Sequence, residues 1–256
     1  EKHYNYKDAK YVIQQVPYEY TSSYLMGSAK GPKAIVEASQ FVELYDEELD
    51  QETYLKGGIC TLPPMKFHDK TDKKAIDYIE KNTARLIDDC KFVISIGAEH
   101  TVTLGFVKPL VKKYKKLTVL QIDAHSDLRD SYHNNKYSHA SVMARVHELG
   151  VNLVQVGIRA QCIEERKLIQ QNNIQTFYAK DIVGGGDEWM LEAIHALKEK
   201  VYITIDCDGL DPSIIPATGT PEPGGLEWYP TMAFLRKVCE RRTVIGFDIV
   251  ELAPHK

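Results

Sequence analysis

The sequence lacks the long apolar runs that membrane proteins need. No window approaches the roughly 18 consecutive apolar residues of a spanning helix. The chain also does not open with a charged stretch followed by an apolar one, as a secretory leader would. We therefore predict a cytoplasmic protein that does not enter a membrane.

Cysteine pairs and an excess of basic charge are missing too. The five cysteines are odd in number and widely scattered, with no Cys-x-x-Cys pair, which argues against a disulfide framework, a zinc finger and thiol redox chemistry. The formal net charge of -4 provides no positive field for nucleic acid. What remains is a chain with 43% hydrophobic residues, enough for a sizeable core, and a small molecule as its expected partner.

Short β-branched segments alternate with longer segments of helical period from about residue 90 onward. This alternation is typical of an α/β fold with a mostly parallel sheet. The predicted strands span residues 92–97, 117–123, 153–158, 175–179, 201–206 and 244–250. The predicted helices span residues 102–114, 141–149, 164–171, 188–198 and 229–240. No repeat or disordered linker marks an internal boundary, so we predict one domain over residues 1–256.

Acidic residues and histidines follow directly after several predicted strands. They are His100, then Asp123, His125 and Asp127, then Asp206 and Asp208, and finally Glu251. Ligands of open α/β sheets bind beyond the carboxyl ends of the strands, and a spacing of two points side chains of extended backbone the same way. Two long loops, 126–139 and 209–225, follow these strands, and loops of that length tend to be functional.

Four of these residues are aspartates, and their convergence would gather four negative charges in one partly buried site. Such a site is costly unless it is protonated or neutralised, and two divalent cations supply four positive charges. Carboxylates with the imidazoles of His100 and His125, and no thiolate, favour manganese over a structural zinc site. Nickel, cobalt and iron are alternatives. Each motif alone is more often a solvated turn, but three at successive strand ends favour a metal centre.

The motifs around these residues resemble those of the ureohydrolase family, which contains arginase and agmatinase. They read IGAEH at 96–100, DAHSD at 123–127, DCDGLDPSIIPATGTPEPGG at 206–225 and VELAP at 250–254. The run PYEYTSSYLMGSAKGPKAIVEAS at 17–39 is similar to the family's amino-terminal loop and first helix. The resemblance covers nearly the whole chain and implies an arginase-like three-layer αβα fold with a mostly parallel central sheet.

The resemblance also implies two Mn²⁺ ions per chain and a role for each site residue. His100, Asp123, Asp127 and Asp206 would hold one ion. Asp123, His125, Asp206 and Asp208 would hold the other, so that Asp123 and Asp206 bridge the pair. His139 would shuttle a proton to the leaving nitrogen and Glu251 would accept the substrate guanidinium, with Asp211 as a structural hydrogen-bonding partner. The other histidines match no ligand position: His3, His68, His133, His147, His195 and His255.

The sequence departs from the family at two places. The common Gly-Gly-Asp-His is here Gly-Ala-Glu-His, and the longer side chain of Glu99 predicts an altered contact to the adjacent ligand histidine. Family chains also usually continue past VELAP into a last helix, which this sequence does not contain.

The substrate is predicted from two loops. Arginases carry a Ser-Gly-Asn run just before the catalytic histidine, where this sequence reads NNKYS, so arginine is not the favoured substrate. The runs DAHSDLRDSY, KYSHASVMARV and VQVGIRA are instead similar to agmatinases. We predict hydrolysis of agmatine to putrescine and urea, with guanidinobutyrate, arginine or another guanidino compound as alternatives.

Two functions from other classes stay open. One is a catalytically silent homologue with a regulatory role, against which the complete ligand set argues. The other is a single-zinc deacetylase on a related architecture, against which the number of aspartates argues. Family members are usually trimers or hexamers, so we expect a homo-oligomer that binds a small guanidino substrate and neither nucleic acid nor membrane.

Overall fold

The computed structural model describes residues 3–254, so the prediction for His255 lies outside the described residues. The strands are β1 (Tyr11–Val16), β2 (Tyr45–Asp46), β3 (Gln51–Glu52), β4 (Ile59–Thr61), β5 (Phe92–Gly97), β6 (Leu117–Ile122), β7 (Asn152–Ile158), β8 (Gln175–Tyr178), β9 (Lys200–Asp206) and β10 (Thr243–Val250). The helices are α1 (Gly31–Ala38), α2 (Asp72–Asp88), α3 (Thr103–Lys113), α4 (Val142–Glu148), α5 (Ile163–Asn172), α6 (Ala179–Ile182), α7 (Glu188–Ala196) and α8 (Trp228–Arg241).

Eight of these strands form one sheet, in the order β4-β1-β5-β10-β9-β6-β7-β8. Every pairing between neighbours in this sheet is parallel. The two remaining strands, β2 and β3, pair with each other in antiparallel fashion. Because the eight strands run in one direction, their carboxyl ends lie at the same edge of the sheet. The acidic residues and histidines of the sequence motifs follow the strands at this edge.

Helices cover both faces of the sheet. Val119 of β6 belongs to one apolar core, together with Phe106 of α3 and Met143 of α4. The next residue, Leu120, belongs to a second core with Phe234 of α8. Successive residues of a strand point to opposite faces, so β6 is covered on both sides, and all six of its residues are buried. The predicted three-layer αβα architecture is confirmed.

The predicted elements are all present, and their ends lie within two residues of the prediction. The assignment of strands and helices from periodicity covered only the chain from residue 90 onward and therefore missed β1, β2, β3, β4 and α2. It also missed the short helix α6. Strand β1 is not peripheral, since it lies between β4 and β5 in the sheet. Within residues 3–254, no helix combines the length and the apolar character needed to cross a bilayer. The five cysteines form no disulfide.

Candidate metal centre

A pocket of about 200 Å³ opens at the carboxyl ends of β5, β6, β9 and β10. Its charged floor consists of His100, His125, Asp127, Asp206, Asp208 and Glu251. Its rim comes from loops, and includes Tyr24, Arg129, Tyr132, His139 and Thr220. Both long loops that were predicted to be functional therefore contribute to the same pocket.

One imidazole nitrogen of His100 faces three carboxylates. Its Nδ1 lies 3.1 Å from an oxygen of Asp123, 3.1 Å from one of Asp127 and 3.3 Å from one of Asp206. The nitrogen is buried, yet it has no hydrogen bond of acceptable geometry. A buried polar atom without a hydrogen bond calls for a ligand such as an ion, and three carboxylate oxygens around one imidazole nitrogen are a suitable first metal cluster.

A second cluster contains Asp123, His125 and Asp208. His125 Nδ1 lies 3.0 Å from Asp208 Oδ2 and 3.7 Å from Asp123 Oδ1. Asp123 thus belongs to both clusters. Asp206 belongs only to the first, and its Oδ1 accepts a hydrogen bond from the backbone N–H of Asp208 at 3.0 Å. The structure brings all six predicted ligands together, with Asp123 shared between the clusters. Bridging by Asp206 as well stays a prediction.

The electrostatics of the clusters favour a bound cation. Burial, together with the charges of Asp127 and Asp208, raises the pKa of Asp123 to about 7. Burial and neighbouring carboxylates raise the pKa of Asp206 well above its usual range. Burial opposes protonation of His125, but Asp208 raises the pKa of this imidazole to about 11. Divalent cations would stabilise the ionised carboxylates, and the donors, which are carboxylate oxygens and imidazole nitrogens without thiolate, fit such ions.

The loops after β6 and β9 interlock closely. The last residue of β9, Asp206, begins a short 3₁₀ turn that places Gly209 against the end of β6. A Cβ at Gly209 would lie 2.8 Å from the backbone nitrogen of Asp123, so only glycine permits this approach. Asp208 Oδ1 also accepts a hydrogen bond from the N–H of Ala124 at 3.1 Å. The two ligand loops are therefore held in one arrangement.

Two residues of the floor have left-handed backbone conformations. Asp127 has a φ of 54° and Glu251 a φ of 63°, in a region that costs side chains other than glycine free energy. The carbonyl of Asp127 accepts hydrogen bonds from Met143 and Ala144 at the start of α4. Glu251 donates its N–H to Ala98 at 2.7 Å. These bonds hold the strained conformations in place.

The two predicted catalytic residues both line the pocket. Glu251 Oε1 accepts a hydrogen bond from the backbone N–H of His100 at 2.7 Å, which fixes the carboxylate beside the first cluster. His139 lies between two hydroxyls, with Nδ1 3.1 Å from Thr21 and Nε2 3.3 Å from Ser23. Burial lowers the pKa of His139, which favours the neutral imidazole, a form that can take up a proton.

Glu99 is fully buried and faces the amino-terminal loop. Its Oε2 accepts hydrogen bonds from the backbone N–H groups of Tyr20 at 2.9 Å and Thr21 at 2.6 Å. The second ring nitrogen of His100 lies instead 2.9 Å from the Thr204 hydroxyl. That hydroxyl donates to Asp248 at 2.6 Å. The imidazole of His100 is therefore oriented by Thr204 and Asp248, while Glu99 binds the backbone of the amino-terminal loop at the rim.

Several supporting residues were not identified from the sequence. Gln121 Nε2 donates to Asp123 Oδ2 at 2.7 Å, and Gln155 donates to Gln121 at 2.6 Å. Both glutamines are fully buried. The available signal was a glutamine in an otherwise largely apolar buried strand, as in LTVLQI and NLVQVGI, because such a side chain needs an internal hydrogen-bonding partner.

Arg159, within the VQVGIRA run, ties three segments together. Its guanidinium donates to the carbonyl oxygens of Asp208 at 2.6 Å, Gly209 at 3.3 Å and Glu222 at 2.8 Å. Since Arg159 directly follows β7, this side chain couples that strand end to the ligand loop after β9. Its position is thereby linked to the geometry of the second cluster.

Three residues of the loops have mainly structural contacts. Asp211 accepts hydrogen bonds from Ser213 and from the backbone N–H groups of Gly224 and Gly225, as predicted for a structural partner. Asp130, whose role the sequence left open, pairs with Arg145 at 3.2 Å. Arg129 lies over the ring of Tyr132 at 5.5 Å and lines the pocket.

Comparisons with known proteins agree on one family. The sequence model of the Arginase family matches residues 9–256. A Synechocystis protein named N(1)-aminopropylagmatine ureohydrolase is 42% identical over 98% of this chain and 83% of its own length. A Pyrococcus horikoshii protein named agmatinase is 34% identical over 96% of this chain and 85% of its own. The solved agmatine ureohydrolase of Thermoplasma volcanium superposes with a TM-score of 0.87 at 33% identity, covering 99% of this chain and 85% of that one.

Proposed function

The chain belongs to the arginase family and is a ureohydrolase, and we propose that it hydrolyses agmatine to putrescine and urea. The observation that carries this proposal is the pair of clusters sharing Asp123 at a pocket that His139 and Glu251 also line. Relatives named agmatinase support the choice of agmatine.

We propose that two manganese ions occupy the clusters. His100, Asp123, Asp127 and Asp206 would hold one ion, and Asp123, His125 and Asp208 the other, with Asp206 within reach of the pair. Bound divalent ions of this kind lower the pKa of a water molecule and hold it for attack. The carboxylates balance the charge of the ions, and the buried hydrogen bonds of Gln121 and Thr204 orient the ligands.

Glu251 would position the substrate. A guanidinium group is planar, and a carboxylate can accept two of its N–H groups in parallel. One oxygen of Glu251 is already anchored by the backbone of His100, so the carboxylate has a defined orientation. Burial, with the charge of Glu99 next in effect, raises the pKa of Glu251 well above its usual range, and a bound guanidinium would favour its ionised form.

His139 would supply the proton that the leaving nitrogen needs. An amine leaves a tetrahedral carbon only when it is protonated, and a histidine near neutrality is suited to take up and release that proton. The hydroxyls of Thr21 and Ser23 hold both ring nitrogens at the pocket rim. The imidazole is thereby kept in place for the transfer.

N(1)-aminopropylagmatine is a second candidate substrate. The Synechocystis relative named for its hydrolysis is 42% identical to this chain, against 34% for the Pyrococcus horikoshii agmatinase. The pocket is also lined by the exposed side chains of Tyr24 and Leu25, against which a longer aliphatic tail could pack. Both candidates share the same guanidino end and would use the same floor.

A substrate panel tests the proposal. Purified manganese-loaded protein is incubated with agmatine, N(1)-aminopropylagmatine, guanidinobutyrate and arginine, and released urea and amine are quantified. We expect the highest kcat/KM with agmatine, and a higher value with the aminopropyl compound would select the second candidate. Urea from arginine or guanidinobutyrate alone would contradict both candidate substrates. If no compound released urea, the hypothesis of a catalytically silent homologue would be favoured instead.

The remaining predictions concern organisation. One sheet that extends from Tyr11 to Val250 supports our inference of a single domain over residues 1–256. The trimeric or hexameric assembly and the cytoplasmic location stay predictions. Sedimentation of the purified protein would test the first of these, since a monomer would contradict it.

A further inference from the structure

The outer ring nitrogen of His125 faces a carboxylate that no ligand set includes. His125 Nδ1 points into the second cluster, 3.0 Å from Asp208. Its other nitrogen, Nε2, lies 3.8 Å from Oε1 of Glu222. In the part of the chain that the structure describes, no second carboxylate lies within 4 Å of this nitrogen. A metal-ligating histidine commonly has a carboxylate or carbonyl against its outer nitrogen.

The backbone of Glu222 is held against the ligand loop. Pro221 and Pro223 flank it, and a residue before proline is restricted to extended conformations. Two N–H groups of Arg159 donate to the carbonyl oxygen of Glu222, at 2.8 and 3.3 Å. The same guanidinium donates to the carbonyl of Asp208 at 2.6 Å. The position of Glu222 is thus coupled to that of a ligand in the second cluster.

The side chain of Glu222 retains freedom that its backbone lacks. It is 40% exposed, so a change of rotamer meets solvent on one side. A separation of 3.8 Å is too long for a hydrogen bond but lies within the range of an ion pair. A small rotation would bring the carboxylate to hydrogen-bonding distance of an imidazole that carries its proton on Nε2.

We propose that Glu222 is a positioning residue for the second metal ion, which orients His125 and keeps the imidazole proton on Nε2. This inference rests on the metal pair of the proposed function. A carboxylate beside Nε2–H leaves Nδ1 free as the metal ligand and makes it a stronger donor. Glu222 acts through His125 and does not touch the ion, so its loss weakens one of the two sites selectively.

The test counts manganese in the loaded enzyme while free Mn²⁺ is lowered with a metal buffer. Bound Mn²⁺ per chain and the spin-coupled signal of the ion pair in electron paramagnetic resonance are followed for the wild type and for Glu222→Ala, Glu222→Gln and Glu227→Ala. The last is a matched control, because Glu227 is an exposed acid of the same segment. We expect Glu222→Ala to bind the second ion about 10- to 100-fold more weakly, with the first ion unchanged and Glu222→Gln intermediate.

Three outcomes would overturn the inference. Equal affinities in Glu222→Ala and Glu227→Ala would show that Glu222 has no role at the second site. Equal weakening of both ions would indicate general loosening of the loop instead of a selective effect through His125. A wild type that never binds two ions would refute the metal pair itself, and with it the proposed function.

Discussion

The floor of the pocket lies at strand ends, whereas its rim lies on loops that cross the surface. On the floor, His100 is 0% exposed, Asp208 2% and Asp206 3%. On the rim, Tyr24 is 72% exposed, and Met26 in the same loop is 74% exposed. Floor side chains are held by strand pairing and by buried hydrogen bonds, so their geometry is over-determined. The exposed side chains of the rim have few constraints, whereas His139 is held there by Thr21 and Ser23. The contrast therefore separates the proposed metal-binding residues from exposed residues that would contact the rest of the substrate.

Replacement of the carboxylate shared by both clusters is expected to have the largest effect. Asp123→Asn removes a charged ligand from each cluster and leaves the shape of the side chain unchanged, so kcat/KM for urea release should fall roughly 10³-fold or more. Bound manganese should fall below two ions per chain. Asp69→Asn, which replaces an exposed acid elsewhere, should leave both measurements unchanged, and a full complement of manganese in Asp123→Asn would contradict the ligand assignment.

Replacement of the rim histidine is expected to separate catalysis from metal binding. His139→Asn should lower kcat about 10²-fold because proton transfer to the leaving nitrogen is lost. Two manganese ions per chain should remain, since His139 belongs to neither cluster. Steady-state kinetics and metal analysis check both points. Loss of manganese from this variant would show that metal binding depends on His139, contrary to the proposed ligand sets.

Removal of a hydroxyl behind the floor is expected to have a smaller effect. Thr204→Val keeps the volume of the side chain but deletes the oxygen between His100 and Asp248, and should weaken the first manganese ion about 10- to 100-fold. Thr204→Ser should restore the affinity, because it restores the hydroxyl. Metal titration with calorimetry distinguishes these results, and an unchanged affinity in Thr204→Val would show that His100 needs no such support.

An exposed aromatic of the rim should have the smallest effect. Tyr24→Ala is expected to raise KM for the preferred substrate several-fold, while kcat changes little. Surface substitutions of this kind usually alter the free energy of unfolding by no more than about 0.5 kcal/mol. Steady-state kinetics and urea denaturation measure the two quantities. A large fall in kcat with KM unchanged would show that this exposed residue takes part in the chemistry and not in substrate binding.

The residues of the pocket floor and the fold after residue 90 could be predicted from the sequence. The grouping of the residues in the two clusters was predictable because they occur in short motifs such as DAHSD and DCDG, and parallel strands place such groups at one edge. The fold after residue 90 was predictable from apolar periodicity. Asp123, His125 and Asp208 needed no long-range information beyond the order of the strands.

What could not be predicted depends on partners that are distant in sequence. Gln14 in β1 donates to Thr83 at 2.9 Å and to Ser95 at 2.8 Å, so a polar residue lies inside a strand that periodicity alone does not identify. Glu222 and His125 are 97 residues apart (222 − 125). Glu99 faces the rim because the backbone N–H groups of Tyr20 and Thr21 in the amino-terminal loop donate to its carboxylate. No local sequence motif predicts this contact.

The left-handed conformations of Asp127 and Glu251 have a consequence for engineering. Glycine adopts a positive φ without the steric cost of a side chain, so a screen that rewards heat resistance alone would select glycine at both positions. The two substitutions would remove one carboxylate from the first cluster and the carboxylate proposed to hold the guanidinium. The selected protein would be more thermostable but catalytically inactive. Directed evolution of this scaffold should therefore select for turnover and thermostability in the same round.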